Sequence, residues 1–182
     1  MKLEKQPFSG LLLIKPTTYY DTRGYFLESY HKEKFNELGL DIAFIQENQS
    51  LSKKGTVRGL HYQLEPYAQS KLVHVVHGAI WDVVVDLRKE MGTFGQWQGF
   101  LLSSENHYRL FIPKGFAHGF VALHQDTVVC YQCDMCYQPS AEQGIYFQDP
   151  TLNIPWEQYI TPSIISEKDA KLPLFKQAIH NF

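Results

Sequence analysis

Short runs of β-branched and aromatic residues, separated by turn-forming residues, fill most of this chain. Helical spacing is sparse. Residues 32–38, with Phe35 and Leu38 apolar, predict a short helix stopped at Gly39. The tail 166–178 predicts one or two helical turns interrupted at Pro173. Strands are predicted over 11–14, 24–30, 43–50, 57–63, 71–76, 79–87, 97–102, 108–112, 119–124, 127–137 and 144–147. Many short strands with few helices predict a mainly β fold, a sandwich or jelly-roll barrel of antiparallel strands. There is no linker, repeat or low-complexity tract, so 1–182 reads as a single domain.

Side chains alternate between the faces of a strand, which sorts the polar residues. In 127–137, Tyr131, Cys133, Met135 and Tyr137 share a face. On a straight strand Tyr131 and Tyr137 would stand roughly 20 Å apart, at about 3.3 Å per residue. A small molecule would not reach both, whereas a long one would. Arg58 and His61 should face opposite ways on a flat strand. A bulge at Gly59 would bring them together, and glycine inside a strand often marks one.

Composition narrows the class. With 182 residues, 44% hydrophobic and 20% charged, the chain can bury a real core and is not disordered. A net charge of −2 supplies no global field for nucleic acid, so anion binding must come from local cations. Residues 1–7 lack an apolar core, and no apolar run approaches membrane-spanning length. Three cysteines, Cys130, Cys133 and Cys136, read as reduced thiols of a cytoplasmic protein. Their parity puts Cys133 opposite the other two, and buried small side chains account for them better than a metal site.

Candidate chemistry centres on Arg58-Gly59-Leu60-His61. An imidazole is the usual general base near neutral pH, and a nearby guanidinium suits a carboxylate or phosphate. Set against this is a histidine that merely packs. His74, His77, His107, His124 and His180 have no context to single them out. Lys71 opens the apolar strand Leu72-Val73-His74-Val75-Val76. An inward lysine there would be costly without a task such as stabilising developing negative charge. Glycine-rich phosphate loops are absent, so any nucleotide binding must use side-chain cations; Arg23 and Arg58 are the candidates, set against the solvated surface charge that is the fate of most arginines.

Several blocks together resemble the dTDP-4-dehydrorhamnose 3,5-epimerase family of the cupin superfamily. They are Asp21-Thr22-Arg23-Gly24-Tyr25-Phe26-Leu27-Glu28, Gln46-Glu47-Asn48-Gln49-Ser50, residues 57–63, Gln69-Ser70-Lys71-Leu72-Val73, Val85-Asp86-Leu87-Arg88, Thr93-Phe94-Gly95-Gln96-Trp97 and 112–120. Tyr131, Tyr137, Glu142, Asp149-Pro150 and Ser166-Glu167-Lys168-Asp169 complete them. The resemblance runs nearly end to end. It implies a cupin-type barrel, His61 as proton acceptor, Asp169 as the acid that hydrogen-bonds it, and Tyr131 as proton donor on the other face of the sugar. It implies Lys71 beside the C4 oxygen, and Arg23 and Arg58 on diphosphate and sugar. It implies further substrate contacts from Glu28, Gln46, Glu47, Asn48, Gln63, His118, Glu142 and Lys168. Tyr137 would stack on the thymine, with Phe26 in an aromatic pair near it. A homodimer is implied, with the N-terminal strand reaching the partner's pocket.

The segment Pro113-Lys114-Gly115-Phe116-Ala117-His118 is similar to the second cupin motif, but Gln63 removes the usual His-x-His pair. A lone His118 would hold a divalent ion poorly, so it is expected to hydrogen-bond in the pocket, and no metal or redox cofactor is expected. A C4 ketone acidifies the hydrogens at both C3 and C5, so one base can serve both carbons. Inversion then needs a second acid on the opposite face. Rival expectations are an epimerase acting at one carbon, one using another nucleotide carrier, and a sugar-nucleotide-binding cupin without turnover.

Overall fold

A computed structural model describes all residues, 1–182. Thirteen strands form: β1 (Lys2–Lys5), β2 (Leu12–Lys15), β3 (Thr18–Asp21), β4 (Gly24–Leu27), β5 (Gln46–Ser52), β6 (Val57–Gln63), β7 (Lys71–His77), β8 (Ala79–Asp86), β9 (Trp97–Ser103), β10 (Arg109–Ile112), β11 (Phe116–Ala122), β12 (Thr127–Cys133) and β13 (Glu142–Gly144). One helix, α1 (Lys32–Glu37), sits between β4 and β5. The tail forms two 3₁₀ turns, Asp169–Lys171 and Phe175–Gln177, on either side of Pro173 as its pattern predicts.

Two antiparallel sheets build the barrel. A six-stranded sheet runs β1-β2-β10-β7-β12-β5, and a five-stranded sheet runs β13-β6-β11-β8-β9. The hairpin β3-β4 stands apart as a two-stranded sheet. Between the large sheets lies an apolar core that includes Leu13, Val73, Val75, Ile80, Val84, Leu110, Phe120 and Val129. Each large side chain fully buried there contributes about 1.5–3 kcal/mol. Outside the five-stranded sheet a second core packs Trp81, Val83 and Val85 under the segment carrying Ile145, Phe147, Ile154 and Trp156. Strand β8 is therefore buried on both faces, which explains its near-continuous apolar sequence. Asp82 and Asp86 interrupt that run, and both are fully buried.

Three features position the site. First, His118 of β11 pairs with His61 of β6, but Phe120 pairs with Arg58. Four residues of β6, Arg58 to His61, thus stand against three of β11, the expected bulge at Gly59. It turns Arg58 and His61 to one side. Gly59 has φ +118°, and a Cβ there would come within 2.5 Å of Gly119 Cα. Second, β12 ends at Cys133, not at Tyr137. Asp134 Oδ1 accepts the Ser70 N–H at 2.7 Å, and Gln46 Oε1 accepts the Tyr137 N–H at 2.7 Å. These bonds draw the chain out of the strand, so the single straight strand carrying both Tyr131 and Tyr137 does not form. Third, the Val57 N–H donates to Ile164 O at 2.8 Å, anchoring the tail beside β6 and bringing Asp169 against the sheet.

Candidate active site

His61 projects from β6 into a cavity of about 460 Å³ between the sheets. Its Nε2 lies 2.8 Å from Asp169 Oδ1. The other carboxylate oxygen accepts the Gly59 N–H at 3.1 Å, so Asp169 ties the imidazole to the bulge that aims it. Burial works to raise the Asp169 carboxyl, but hydrogen bonds and charge from His61, with bonds from Gly59 and Ser166, hold it below the ordinary value. A carboxylate accepting from Nε2–H leaves Nδ1 as the basic nitrogen.

Lys71 and Tyr131 face His61 from β7 and β12. The Lys71 ammonium is 5.9 Å from the Tyr131 ring centroid. Burial pulls Lys71 below the ordinary lysine value, opposed by Cys133, Asp82 and Glu142. Burial likewise pushes the Tyr131 phenol up. It is therefore protonated at neutral pH, as a proton donor must be. A second cavity of about 190 Å³ shares His61, Lys71 and Tyr131 with the first and extends the site toward Gln46, Asn48, Tyr137 and Glu142. Both tyrosines thus border one continuous site.

Arg58 lines the larger cavity and is held in place: its Nε donates to Ser52 Oγ at 3.0 Å and its Nη2 to Leu51 O at 3.0 Å. His118 lies opposite His61, with Nε2 2.8 Å from the fully buried Asp82 Oδ2. A base, a half-buried phenol, an ammonium and a fixed guanidinium converge on one hollow. That set can remove a proton next to a carbonyl, hold the resulting oxyanion and return a proton from another side.

The family model for dTDP-4-dehydrorhamnose 3,5-epimerase matches residues 5–177. The chain belongs to this family. It is 46% identical over 166 residues to the dTDP-4-dehydrorhamnose 3,5-epimerase of Methanothermobacter thermautotrophicus, covering 91% of this chain and 89% of that one. It is 46% identical, with TM-score 0.92, to the structure of the epimerase from Bacillus anthracis with TDP and PPi bound, covering 95% of this chain and 98% of that one. It is 41% identical, also with TM-score 0.92, to the Legionella pneumophila epimerase in complex with dTDP-4-keto-L-rhamnose, covering 97% and 93%. The barrel is accordingly of the cupin type that this epimerase family shares.

Not every residue expected from the family resemblance reaches this cavity. Arg23, Phe26 and Glu28 lie on or beside the β3-β4 hairpin, away from it. The Arg23 side chain is 88% exposed and pairs only with Asp21. Phe26 is 70% exposed, and Glu28 pairs with Lys34 at 2.7 Å. Glu47 is corrected: it alternates outward on β5 and accepts from Gln132 Nε2 at 2.9 Å. Gln63 borders the smaller cavity, but its amide is spent inside the protein, donating to Tyr67 O and accepting the Gln138 N–H, both at 2.7 Å. It holds the chain on both sides of Tyr137, through Cys136 O and the Gln138 N–H. Glu142 accepts from the Tyr137 hydroxyl and the Lys168 ammonium, both at 2.5 Å, forming a polar cluster at the mouth.

Two residues escaped the sequence reading. Ser50 lines the larger cavity, and its buried Oγ has no hydrogen-bond partner. The alternation Gln46, Asn48, Ser50 along β5 was the signal for it. Asp82 had only its charge inside an apolar run to mark it.

Proposed function

We propose that this protein inverts C3 and C5 of dTDP-4-dehydro-6-deoxy-D-glucose, giving dTDP-4-dehydro-L-rhamnose. The observation that carries this reading is the His61–Asp169 pair set with Tyr131 and Lys71 around one cavity, in a chain whose family acts next to a C4 ketone. His61, oriented by Asp169, removes the proton from C3 or C5. Charge then moves to the C4 oxygen, where the Lys71 ammonium stabilises the enolate in a water-poor site. Tyr131 protonates the carbon from the opposite face, which converts exchange into inversion. Return of the same proton by His61 would restore the starting configuration.

Arg58 is proposed for the diphosphate, preset by Ser52 and the Leu51 carbonyl. Tyr137 would stack on the thymine, and Gln46, Asn48, His118, Glu142 and Lys168 would contact the rest of the nucleotide-sugar. Binding energy from these remote groups then orients the reacting carbons. We assign Arg23, Phe26 and Glu28 to the pocket of a partner subunit, since they stand exposed on a hairpin remote from their own chain's cavity. This requires a homodimer. Three free thiols suit a reducing compartment, and cytoplasm is the one proposed.

Incubating the protein with dTDP-4-dehydro-6-deoxy-D-glucose in heavy water tests the reading. Deuterium is expected at both C3 and C5 of the product. Label at one carbon alone would leave a mono-epimerase. Tight binding with no label would leave a binding protein.

A further inference from the structure

The inner face of β5 carries Gln46, Asn48, Ser50 and Ser52 in alternation, and all but Ser50 are engaged inside the protein. Gln46 donates to Asn48 Oδ1 at 3.1 Å and accepts the Tyr137 N–H at 2.7 Å. Ser52 Oγ accepts from Arg58 Nε at 3.0 Å. The Ser50 hydroxyl is buried without a hydrogen-bond partner, although the residue lines the larger cavity. A buried hydroxyl with no partner costs stability, so one kept in a cavity wall calls for a ligand that supplies the partner. A turn of χ1 between staggered rotamers is enough to aim it into the cavity.

Strand register places Ser50 between two parts of the site. One inward step away, about 7 Å along β5, Asn48 stands opposite Tyr131 of β12. On the other side, Leu51 O and Ser52 Oγ hold the Arg58 guanidinium. Ser50, Arg58, Tyr131 and His61 all border the same cavity. With Tyr131 at the reacting carbons and Arg58 at the diphosphate on C1, the sugar atoms in between are the ring oxygen and C2 with its hydroxyl. Of these, only the C2 hydroxyl can both donate and accept. A serine hydroxyl does the same, so each satisfies the other in either direction.

We propose that Ser50 is a specificity-determining residue whose hydroxyl binds the C2 hydroxyl of the ketosugar, so that the site selects sugars with oxygen at C2. The inference rests on the reading above that Tyr131 serves the sugar and Arg58 the diphosphate. Arg58 alone fixes one end of the sugar and leaves it free to turn about its bond to the diphosphate. A second contact at C2 stops that turn and holds C3 and C5 toward His61 and Tyr131. A 2-deoxy sugar leaves Ser50 unpaired in the occupied site, and sites built to hydrogen-bond a substrate hydroxyl reject analogues that lack it.

The test compares wild type and Ser50→Ala on dTDP-4-dehydro-6-deoxy-D-glucose and on its 2-deoxy analogue. The readout is kcat/KM for deuterium uptake at C5, the exchanging carbon farther from C2. Wild type must label the parent sugar at C3 and C5; if it does not, the epimerase reading fails before the inference is reached. Given that, wild type is expected to prefer the parent by about ten-fold or more. Ser50→Ala should lose about ten-fold on the parent and less than about two-fold on the analogue, with dTDP affinity unchanged. Without ligand it should melt at or above the wild-type temperature, because an unpaired buried hydroxyl has been removed. Equal losses on both sugars, or weaker dTDP binding, would make Ser50 a phosphate or packing contact and overturn the proposal. A wild type with no preference for the parent, or a preference that survives in Ser50→Ala, overturns it too. So does a Ser50→Ala chain that melts lower or fails to fold, since the hydroxyl would then be structural.

Discussion

Asp169 carries two tasks with two oxygens, and an amide cannot perform both. Oδ1 accepts from His61 Nε2 and Oδ2 from the Gly59 N–H. In Asp169→Asn, an NH₂ turned toward Gly59 meets another donor. Turned toward His61, it moves the imidazole proton onto Nδ1, the nitrogen needed as base. Asp169→Asn is therefore expected to lower kcat about a hundred-fold or more while dTDP affinity holds. Retention of wild-type kcat would remove Asp169 from the mechanism. The same carboxyl links pH to stability. Its folded-state value is depressed, so its contribution is fully present above the ordinary aspartate range and is lost as pH falls through the lower folded value. The melting temperature of wild type should drop on acidification below about pH 4, and Asp169→Asn should drop less over that window. His61, Lys71, Tyr131 and Arg58 were legible as residues because their types and blocks speak for themselves. Ser50 and Asp82 were not, because an unpaired hydroxyl and a buried acid acquire meaning only when the opposing sheet is in place.

Strands are where the sequence was most readable, and strand ends where it was least. The span 57–63 matches β6 at both ends, and the bulge at Gly59 followed from the need to turn Arg58 toward His61. The end of β12 did not, because the bonds that bend the chain come from Ser70 and Gln46, over sixty residues away in sequence. Strands β1 and β3 were also missed. Both are short, largely exposed and without an apolar face to reveal them. The bulge has a partner on the neighbouring strand. A Cβ on Gly119 would come within 2.7 Å of Arg58 O and 3.1 Å of Gly59 Cα. Gly119 does not need a left-handed backbone, so the conflict is one of space alone. Gly119→Ala should destabilise the fold by about 1–3 kcal/mol and lower kcat/KM more than dTDP affinity, because β6 must move and His61 moves with it. Thermal melts and kinetics together check this, and wild-type values in both would show that the two strands need not approach so closely.

At the scale of the whole molecule, the hairpin is the part that one chain does not explain. Tyr19, Tyr20, Tyr25 and Phe26 are exposed together on β3-β4, next to an Arg23 that reaches only its neighbour Asp21. An exposed aromatic cluster of this kind suits the partner-subunit contact proposed above. No count of residues or strand pattern pointed to it; the family resemblance alone did. If the hairpin completes the other subunit's pocket, damage to hairpin and damage to base lie in different halves of each site. An Arg23→Ala/Phe26→Ala chain keeps its own base and lacks a hairpin to give. A His61→Ala chain keeps its hairpin and lacks a base. Each homodimer should be poorly active or inactive. Subunits exchanged at equal concentration pair at random. Half the dimers are then mixed, and each mixed dimer holds one intact site out of two, so about a quarter of wild-type activity should return. A hairpin that served its own chain's pocket would put one lesion in each site of every mixed dimer, leaving neither intact. The mixture would then show only the average of the two parents, and the absence of recovery would refute sharing of the site across the dimer.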